Sequence, residues 1–395
     1  MRTDDSLLTD VTVLDLGQAI AAPSAAGLLA DFGADVVSVE PPGGSSQREF
    51  AKGSPLPNFD RNKRSIALDL KTERGTEALY RLVEAADVVI HNNRPGKMQE
   101  LGCDYDTLSE INPRLIYCSL TGYGESGPYK DRPGFDPLAQ AVSGLMSMTG
   151  EPDRKPSRIG ASTIDIGTGI YAAYAIMMCL YKRKETGRGQ RIETSLIDTA
   201  AMFMSQWYTY VSMGEQPPQR QGHTWDAYAP AGVFETHTDP IYMSVPFQHL
   251  WERLCKAVDR PDWVADPRFE TKESRLRNRE ALHSELDEEF KSYSRSELMD
   301  LLLDANVPIA EVNTVEQALH DQHLQERGTI QTIENPNGDE VKAVSPPIRL
   351  SEAPATQSSA PPQLGENSRE VLRECGYNED DIESLLAEGV IQIPQ

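Results

Sequence analysis

The chain has 395 residues, of which 39% are hydrophobic and 25% charged, a composition typical of a folded globular protein. This length exceeds what a single hydrophobic core usually supports, so we expect two domains. The 61 acidic and 38 basic residues give a net charge of -23, which opposes binding to nucleic acid and to anionic membranes. We therefore expect neither nucleic acid nor a membrane as a partner.

Other compositional features favour a cytoplasmic protein. No stretch has the roughly 18 consecutive apolar residues that a membrane helix requires, and the first residues, MRTDDSLLTD, are acidic rather than signal-like. The five cysteines are scattered without a C-x-x-C pair, so they predict neither a disulfide framework nor a zinc site. Scarce lysine and the strongly negative charge favour a halophilic protein, because concentrated salt screens the repulsion between acidic side chains.

The N-terminal half alternates apolar strands with amphipathic helices. Strands are predicted at VTVLDL (11–16), ADVVSVE (34–40), ADVVIHN (86–92) and RLIYCSL (114–120), and helices at APSAAGLLADFG (22–33) and TERGTEALYRLVEAA (72–86). This alternation predicts an α/β fold with a doubly wound, mostly parallel sheet. A dinucleotide-binding version would carry G-x-G-x-x-G after its first strand, and DLGQAIAAP (15–23) lacks that pattern.

The second half changes character at about residue 222. Before this point, a long helix is predicted from near Thr168 through GIYAAYAIMMCLYKRKE (169–185), and RIETSLID (191–198) begins as a strand. A hairpin in GVFETHTDPIYMSV (232–245) and several helices then predict a smaller α+β domain. The Pro- and Ser-rich segment 345–367 is predicted to be extended, and two short helices follow it. We therefore divide the chain into residues 1–221, 222–330 and 331–395.

Asp165 is a candidate functional residue at the start of the long helix, in STIDIGTG (162–169). Aspartate is a preferred N-cap, because its side-chain oxygen accepts hydrogen bonds from free backbone N–H groups. A carboxylate at a helix N-terminus also stays ionised and can act as a covalent nucleophile. The neighbouring Gly160, Gly167 and Gly169 would let a bulky substrate approach the backbone. The residues alone leave both roles open.

A set of basic residues lies beside two of the predicted strands: Lys63, Arg64, Lys71, Arg94 and Lys97. Lysine and arginine are the usual donors to phosphate, so these residues favour a phosphate-binding rim. Surface cations on an acidic protein more commonly form solvated ion pairs worth under about 1 kcal/mol each, which is the alternative. The seven histidines are dispersed, and we predict no metal site.

Several longer segments occur in a characteristic order: VLDLGQAIAAPSAAGLLADFGADVVSVEPPGG (13–44), ADVVIHNNRPGKMQELG (86–102), NPRLIYCSLTGYGESGP (112–128), GFDPLAQAVSGLMSMTG (134–150) and DIGTGIYAAYAIMMCLYKRKETGRGQRIETSLID (165–198). Together they resemble the class III CoA-transferases, the formyl-CoA transferase family. The likeness continues to PPQLGENSREVLRECGY (361–377), so it covers nearly the whole chain. It implies a large domain completed by residues 331–395, a small domain inserted between its parts, and an interlocked, ring-like homodimer.

The resemblance also implies an activity, the exchange of coenzyme A between carboxylic acids. Asp165 matches the aspartate of the family's D-x-x-T-G pattern, which is the covalent nucleophile. Coenzyme A would enter as an acyl-CoA substrate, without a metal. By position, the implied CoA contacts are Ile20, Ala21, Leu68 to Lys71, Asn92, Asn93 and Arg94, with Lys97 on the same loop and with Phe135 and Asp136 beside the thioester.

Three departures from the family pattern bear on the substrate. Ile20 stands where formyl-CoA transferase has a glutamine, Pro42 replaces an arginine after the second strand, and the small domain lacks a four-glycine lid, so formate and oxalate are not expected. The family and the charge favour C4 or C5 dicarboxylates, such as succinyl-CoA with mesaconate or citramalate. A sister group of racemases uses a histidine where this chain has Phe135, which cannot move a proton. A 2-methylacyl-CoA racemase and a catalytically silent acyl-CoA-binding dimer remain the alternatives.

Overall fold

The computed structural model describes residues 6–45, 48, 57–334, 338–356 and 358–394, which form two compact units. Unit 1 comprises Met1–Leu145, Ile159–Gln216 and Gln322–Gln395. Unit 2 comprises Met146–Arg158 and Pro217–Asp321. Compared with the predicted small domain of 222–330, unit 2 therefore also includes the excursion 146–158 and ends at Asp321.

Unit 1 is built on a seven-stranded sheet. Its strands are β1 Thr12–Asp15, β2 Asp35–Glu40, β3 Lys63–Leu68, β4 Val88–His91, β5 Ile116–Thr121, β6 Arg191–Ser195 and β12 Ile391–Gln392. Their spatial order is β12-β3-β2-β1-β4-β5-β6. Strands β1 to β6 are parallel, and β12 pairs antiparallel with β3 at one edge. The prediction of an α/β fold with a mostly parallel sheet is confirmed.

Unit 1 also contains α-helices. They are α1 Ala21–Ala30, α2 Pro57–Asp60, α3 Glu73–Ala85, α4 Lys97–Glu100, α5 Tyr105–Ile111, α6 Asp136–Val142, α7 Thr163–Thr186, α8 Leu196–Phe203, α9 Ser205–Ser212, α15 Gln322–Glu326, α16 Ser368–Glu374 and α17 Glu379–Ala387. One core lies under α1 and α7, and a second lies under α3, α16 and α17. Successive β1 residues, Val13 and Leu14, enter opposite cores, as in a strand that is buried on both faces.

Unit 2 and the end of unit 1 contain the remaining elements. The strands are β7 Ala231–Phe234, β8 Ile241–Ser244, β9 Ile309–Glu311, β10 Ile330–Glu334 and β11 Glu340–Val344, and the helices are α10 Gln248–Ala257, α11 Lys272–Arg277, α12 Arg279–Phe290, α13 Arg295–Asp304 and α14 Val315–Leu319. The predicted hairpin is confirmed as β7 and β8, which pair antiparallel. The sequence analysis missed β9, which joins them, and the β10–β11 hairpin.

The long helix α7 begins at Thr163, earlier than the predicted start near Thr168, and ends at Gly187, whose φ of 68° is left-handed. By length and composition alone α7 could cross a bilayer, but 44% of its most apolar window is buried inside the protein. Its residues Ala172 and Ile176 belong to the core that it shares with α1. The core therefore accounts for the buried part of the apolar surface of α7.

Two glycines of α7 permit close helix packing. A Cβ at Gly169 would lie 2.1 Å from Ser24 Oγ and 2.8 Å from the Ala21 carbonyl oxygen, both on α1. A Cβ at Gly167 would lie 2.6 Å from a ring carbon of Phe203 on α8. Because these positions face neighbouring helices, the prediction that they leave room for a substrate is wrong.

Candidate active site

The candidate site lies where the strand order of unit 1 reverses direction. From β1 the chain moves outward to β2 and β3 on one side, and β4 opens the other side, towards β5 and β6. In open α/β sheets, ligands bind in the crevice beyond the carboxyl ends of the strands at such a switch point. A cavity of about 430 Å³ is found there, following the ends of β1, β4 and β5. Its lining residues are Gln18, Ala19, Ile20, Ala21, Asn92, Asn93, Arg94, Lys97, Leu120, Thr121, Gly134, Phe135, Asp165 and Leu196.

Asp165 presents a carboxylate to this cavity from the first turn of α7. The side chain is half-buried, and no donor among the described residues makes a hydrogen bond to its carboxylate. Burial, and secondly the negative charge of Asp136, raises the pKa of Asp165 from 3.8 to about 6. The group is therefore ionised at neutral pH, but it is a stronger base than an ordinary aspartate.

The side chain that caps α7 belongs to Asp136, which opens α6. Asp136 is only 4% exposed, and its Oδ2 accepts hydrogen bonds from the backbone N–H groups of Ile164 at 2.8 Å and Asp165 at 3.1 Å. Its Oδ1 accepts a third bond from Gln140 Nε2 at 2.5 Å. The capping role considered for Asp165 is thus performed by Asp136, and the Asp165 carboxylate remains available to a ligand.

The start of α1 also lines the cavity and has no such cap. Its N-cap residue, Ile20, makes no side-chain capping bond, and its first turn contains no acidic residue. Among the described residues, nothing accepts a hydrogen bond from the backbone N–H groups of Ala19, Ile20, Ala21 or Ala22. The α1 start therefore offers unpaired donors and the positive end of a helix dipole to the cavity.

Most of the predicted contact residues are brought together here. Those that line the cavity are Ile20, Ala21, Asn92, Asn93, Arg94, Lys97, Phe135 and Asp165. Asp136 lies behind the lining, where its oxygens are bonded to protein N–H groups. The structure does not place Leu68 or Lys71 on this cavity: Leu68 is buried in the core under α3, and Lys71 is exposed.

The predicted basic rim divides into structural and cavity residues. The Lys63 side chain is fully buried, with Nζ 2.8 Å from Asp15 Oδ2, and Arg64 pairs with Asp35 at 2.6 Å and with Glu374 at 2.9 Å. The prediction that Lys63 and Arg64 belong to a phosphate-binding rim is therefore wrong. For Lys63, the alternative of solvated pairs is also wrong. Both residues open β3. Its parallel register with β2 brings Arg64 to Asp35, and Lys63 reaches Asp15 on β1 as well as the nearby Asp60.

Sequence reasoning missed other lining residues, among them Gln18, Ala19, Thr121 and Gly134. Their common feature is position, since they lie at or shortly after the carboxyl ends of β1 and β5. The predicted strand alternation carried this signal, because ligands of doubly wound sheets bind at the switch point. The exact strand order, which locates that point, depends on long-range pairing.

Comparison with known proteins agrees with this geometry. Residues 8–368 match the family model described as CoA-transferase family III. The succinyl-CoA:mesaconate CoA-transferase of Haloarcula hispanica is 35% identical over 384 residues, which cover 93% of this chain and 96% of that protein. The succinate–glutarate CoA-transferase of Agrobacterium fabrum is 35% identical over 381 residues, which cover 93% and 95%. Among solved structures, a CaiB/BaiF family protein from Brucella suis matches with a TM-score of 0.86 at 34% identity, covering 95% of this chain and 100% of that one.

The match spans most of the chain in sequence and in structure, so the chain belongs to CoA-transferase family III. The resemblance read from the sequence is thereby confirmed. The protein is an enzyme, a CoA-transferase, and members of this class act on acyl-CoA thioesters and carboxylates.

Proposed function

We propose that this enzyme moves coenzyme A between two carboxylic acids through a covalent intermediate on Asp165. The observation that carries the proposal is the Asp165 carboxylate, which faces the switch-point cavity without a hydrogen-bond donor among the described residues. Its pKa of about 6 suits a nucleophile that is ionised at pH 7 yet more basic than a solvated aspartate.

The exchange has four steps and needs no external energy source. The Asp165 carboxylate attacks the donor thioester carbonyl and expels CoA thiolate, which leaves a mixed anhydride. The thiolate attacks the Asp165 carbonyl of this anhydride, releasing the donor acid and forming an aspartyl-CoA thioester. The acceptor carboxylate attacks the carbonyl of that thioester and expels CoA thiolate again, which gives a second anhydride. The thiolate then attacks the acceptor carbonyl of this anhydride, forming the acceptor-CoA thioester and releasing the Asp165 carboxylate. Each step exchanges one activated acyl group, a thioester or an anhydride, for another, so the free energy of the thioester is conserved.

Each attack places negative charge on a carbonyl oxygen, which requires hydrogen-bond donors in the cavity. The first N–H groups of α7 cannot serve, because Ile164 and Asp165 donate to Asp136 and Thr163 donates to the Ala161 carbonyl. The N–H groups of Ala19, Ile20 and Ala21 line the cavity without a described acceptor. We assign the oxyanion donors to the α1 start.

The β4–α4 loop supplies the polar and cationic part of the cavity for coenzyme A. Arg94 lines the cavity and forms no ion pair with a described residue, whereas Lys97 Nζ lies 3.0 Å from Glu100 Oε2. A guanidinium without a competing carboxylate suits the phosphates of CoA. Asn93 adds a carboxamide beside it.

For the acids, we propose succinyl-CoA as donor and a C5 dicarboxylate, mesaconate or citramalate, as acceptor. The support is that the relatives from Haloarcula and Agrobacterium are named for mesaconate and glutarate, which are both C5 dicarboxylates. Phe135, exposed to 62% and lining the cavity, offers an apolar surface but no proton-transfer group. Transfer only to monocarboxylates, in a panel that includes all three C5 acids, would contradict this assignment.

We also propose an interlocked homodimer that works in a salty cytoplasm. The support is an exposed apolar face on α7, which includes Tyr174 at 62% and Tyr181 at 72% exposure. Single exposed apolar residues are common on protein surfaces, whereas a group of them on one helix is typical of an interface. A second copy of the chain would cover this face. Light scattering should give a dimer mass, and thermal unfolding should shift to lower temperature as KCl is withdrawn, because the net charge of -23 then repels itself more strongly.

The decisive experiment is intact-mass analysis of the enzyme after incubation with succinyl-CoA. We expect the wild type to gain a CoA adduct that hydroxylamine removes, and Asp165→Ala to gain none. The Asp165→Asn variant is the matched control, because it keeps the side-chain shape and lacks the nucleophile. An adduct of equal yield in Asp165→Ala would overturn the assignment, and no adduct in any protein would favour the silent acyl-CoA binder.

A further inference from the structure

Asn92 differs from its neighbour Asn93 although both line the cavity. We infer that Asn92 is a positioning residue for the transfer reaction and acts on the turn after β1 rather than directly on coenzyme A. This inference rests on the proposed function, since the turn carries the donors assigned to the oxyanion. The argument starts from the hydrogen bonds between β1 and β4.

The carboxamide of Asn92 extends the pairing of these two central strands. Their ladder ends with Leu16 N–H donating to the Ile90 carbonyl at 2.8 Å. Beyond it, Gln18 N–H donates to Asn92 Oδ1 at 2.8 Å, and Asn92 Nδ2 donates back to the Gln18 carbonyl at 2.7 Å. The side-chain amide thus takes the place that a peptide group would hold in a longer strand, and it fixes both polar atoms of the Gln18 backbone.

The residue that follows this pair is under conformational strain. Ala19 has a φ of 58°, in the left-handed region that residues with a Cβ seldom occupy. Two residues before Ala19, the Gly17 N–H also fixes the turn by donating to Asp15 Oδ1 at 2.9 Å. Strained backbone persists where surrounding bonds over-determine it, and here those bonds are the Asp15 and Asn92 contacts. Ala19 in turn sets where the N–H groups of Ile20 and Ala21 lie.

Asn93 lacks this engagement. The hydrogen bond that its side chain makes to the described chain is a 3.5 Å contact from Nδ2 to Met98 Sδ. Its carboxamide is therefore available to a ligand, as the family's pattern of CoA contacts implies. The adjacent pair gives a matched comparison: loss of Asn93 should weaken acyl-CoA binding, and loss of Asn92 should slow the chemistry.

The test is steady-state and single-turnover kinetics with succinyl-CoA and mesaconate. In Asn92→Ala we expect kcat and the rate of the aspartyl-CoA adduct to fall roughly 10- to 100-fold, with KM for succinyl-CoA changed by less than about 3-fold. In Asn93→Ala we expect the reverse, a raised KM and nearly unchanged kcat. Asn92→Asp should be as slow as Asn92→Ala, because a carboxylate oxygen would then face the Gln18 carbonyl.

A rescue variant separates positioning from a general structural role. Glycine adopts left-handed φ without the penalty that alanine incurs, so Ala19→Gly should restore part of kcat in the Asn92→Ala background and have no such effect in Asn93→Ala. Strictly additive effects, or a loss in Asn92→Ala confined to KM, would overturn the inference. If wild type itself forms no hydroxylamine-sensitive adduct, the proposed function fails first. If wild type forms the adduct and Asn92→Ala matches its rate, only the role of Asn92 fails.

Discussion

Of the helices that begin at the cavity, α1 and α7 treat their first N–H groups in opposite ways. The start of α7 is closed, because the buried Asp136 accepts from Ile164 and Asp165. The start of α1 is open, because no described group accepts from Ala19 to Ala22. Both helices contribute to the same core and meet at Gly169.

Under the proposed function, this difference would give separate chemical tasks to two similar backbone ends. A capped helix can present a carboxylate side chain without losing it to its own N–H groups, and this is the position of Asp165. An uncapped helix retains donors for a ligand, at some cost in stability. We therefore expect changes at the closed start to act on the nucleophile and changes at the open start to act on the oxyanion.

The largest effect should follow from opening α7. Asp136→Ala removes the acceptor for two backbone N–H groups, so we expect kcat to fall roughly 100-fold through misplacement of Asp165. We also expect the free energy of unfolding to fall by about 1–2 kcal/mol. Asp136→Asn is the control, since it keeps an oxygen for the cap and loses the charge. A normal kcat in Asp136→Ala, measured at saturating substrates, would contradict the role of the cap.

The next effect concerns the contact between the two helices. Gly169→Ala would place its Cβ 2.1 Å from Ser24 Oγ and 2.8 Å from the Ala21 carbonyl, so α1 must shift. Overpacking of this kind costs about 1–3 kcal/mol, which urea denaturation should detect. The control is Gly187→Ala, at the other end of α7: nothing lies near its Cβ position, and its left-handed φ of 68° imposes a different kind of strain. If Gly169→Ala slows turnover and Gly187→Ala does not, the spacing between α1 and α7 affects the reaction.

Adding a cap to the start of α1 should have a smaller effect, raising stability and lowering activity. Ile20→Asp introduces an N-cap acceptor and a negative charge at the open start. We expect a gain in unfolding free energy of about 0.5–1 kcal/mol and a loss in kcat of roughly 10-fold. Ile20→Ala tests the loss of the side chain alone. Equal kcat for the two variants would mean that the α1 donors do not face the developing charge.

The last effect depends on pH and is a stability change at Asp165 itself. Its pKa is raised from 3.8 to about 6 in the folded protein, so ionisation opposes folding, and the penalty grows as pH rises through that window and is complete by pH 7. Asp165→Asn should therefore be more stable than wild type by about 1–2 kcal/mol at pH 7, after allowance for partial exposure. The difference should shrink on lowering the pH to 5. In wild type, kcat/KM should decline below about pH 6 as Asp165 is protonated. A pH-independent stability difference would contradict the raised pKa.

Local sequence patterns were sufficient for much of the fold. The parallel strands, the helix over TERGTEALYRLVEAA, the β7–β8 hairpin and the terminal helices all follow from periodicity and turn residues. The start of α7 was placed too late, because its cap comes from Asp136, 29 residues before Asp165 in the chain. A cap supplied by another element leaves no trace in the residues around a helix start.

The site was predictable to a similar extent. Asp165 and residues of the loops after β1 and β4 were singled out in the sequence, because a resemblance over the whole chain preserves their order, and they line one cavity. The pairing of Lys63 with Asp15 and of Arg64 with Asp35 was not predictable, since those aspartates lie on other strands of the sheet. For the same reason the sequence alone did not separate Asn92, bonded to Gln18, from Asn93 beside it.

The edge strand β12 has a consequence for how unit 1 folds. It pairs with β3, and Gly43 N–H donates to the Gln392 side chain across 349 residues of sequence. Until the chain has been synthesised through this point, β3 remains an unpaired edge, a feature that promotes association between nascent chains. Contacts of such long range also slow folding, because the loop must close before its pairing is gained. We therefore expect the sheet to be completed only after synthesis, with β12 closing it last.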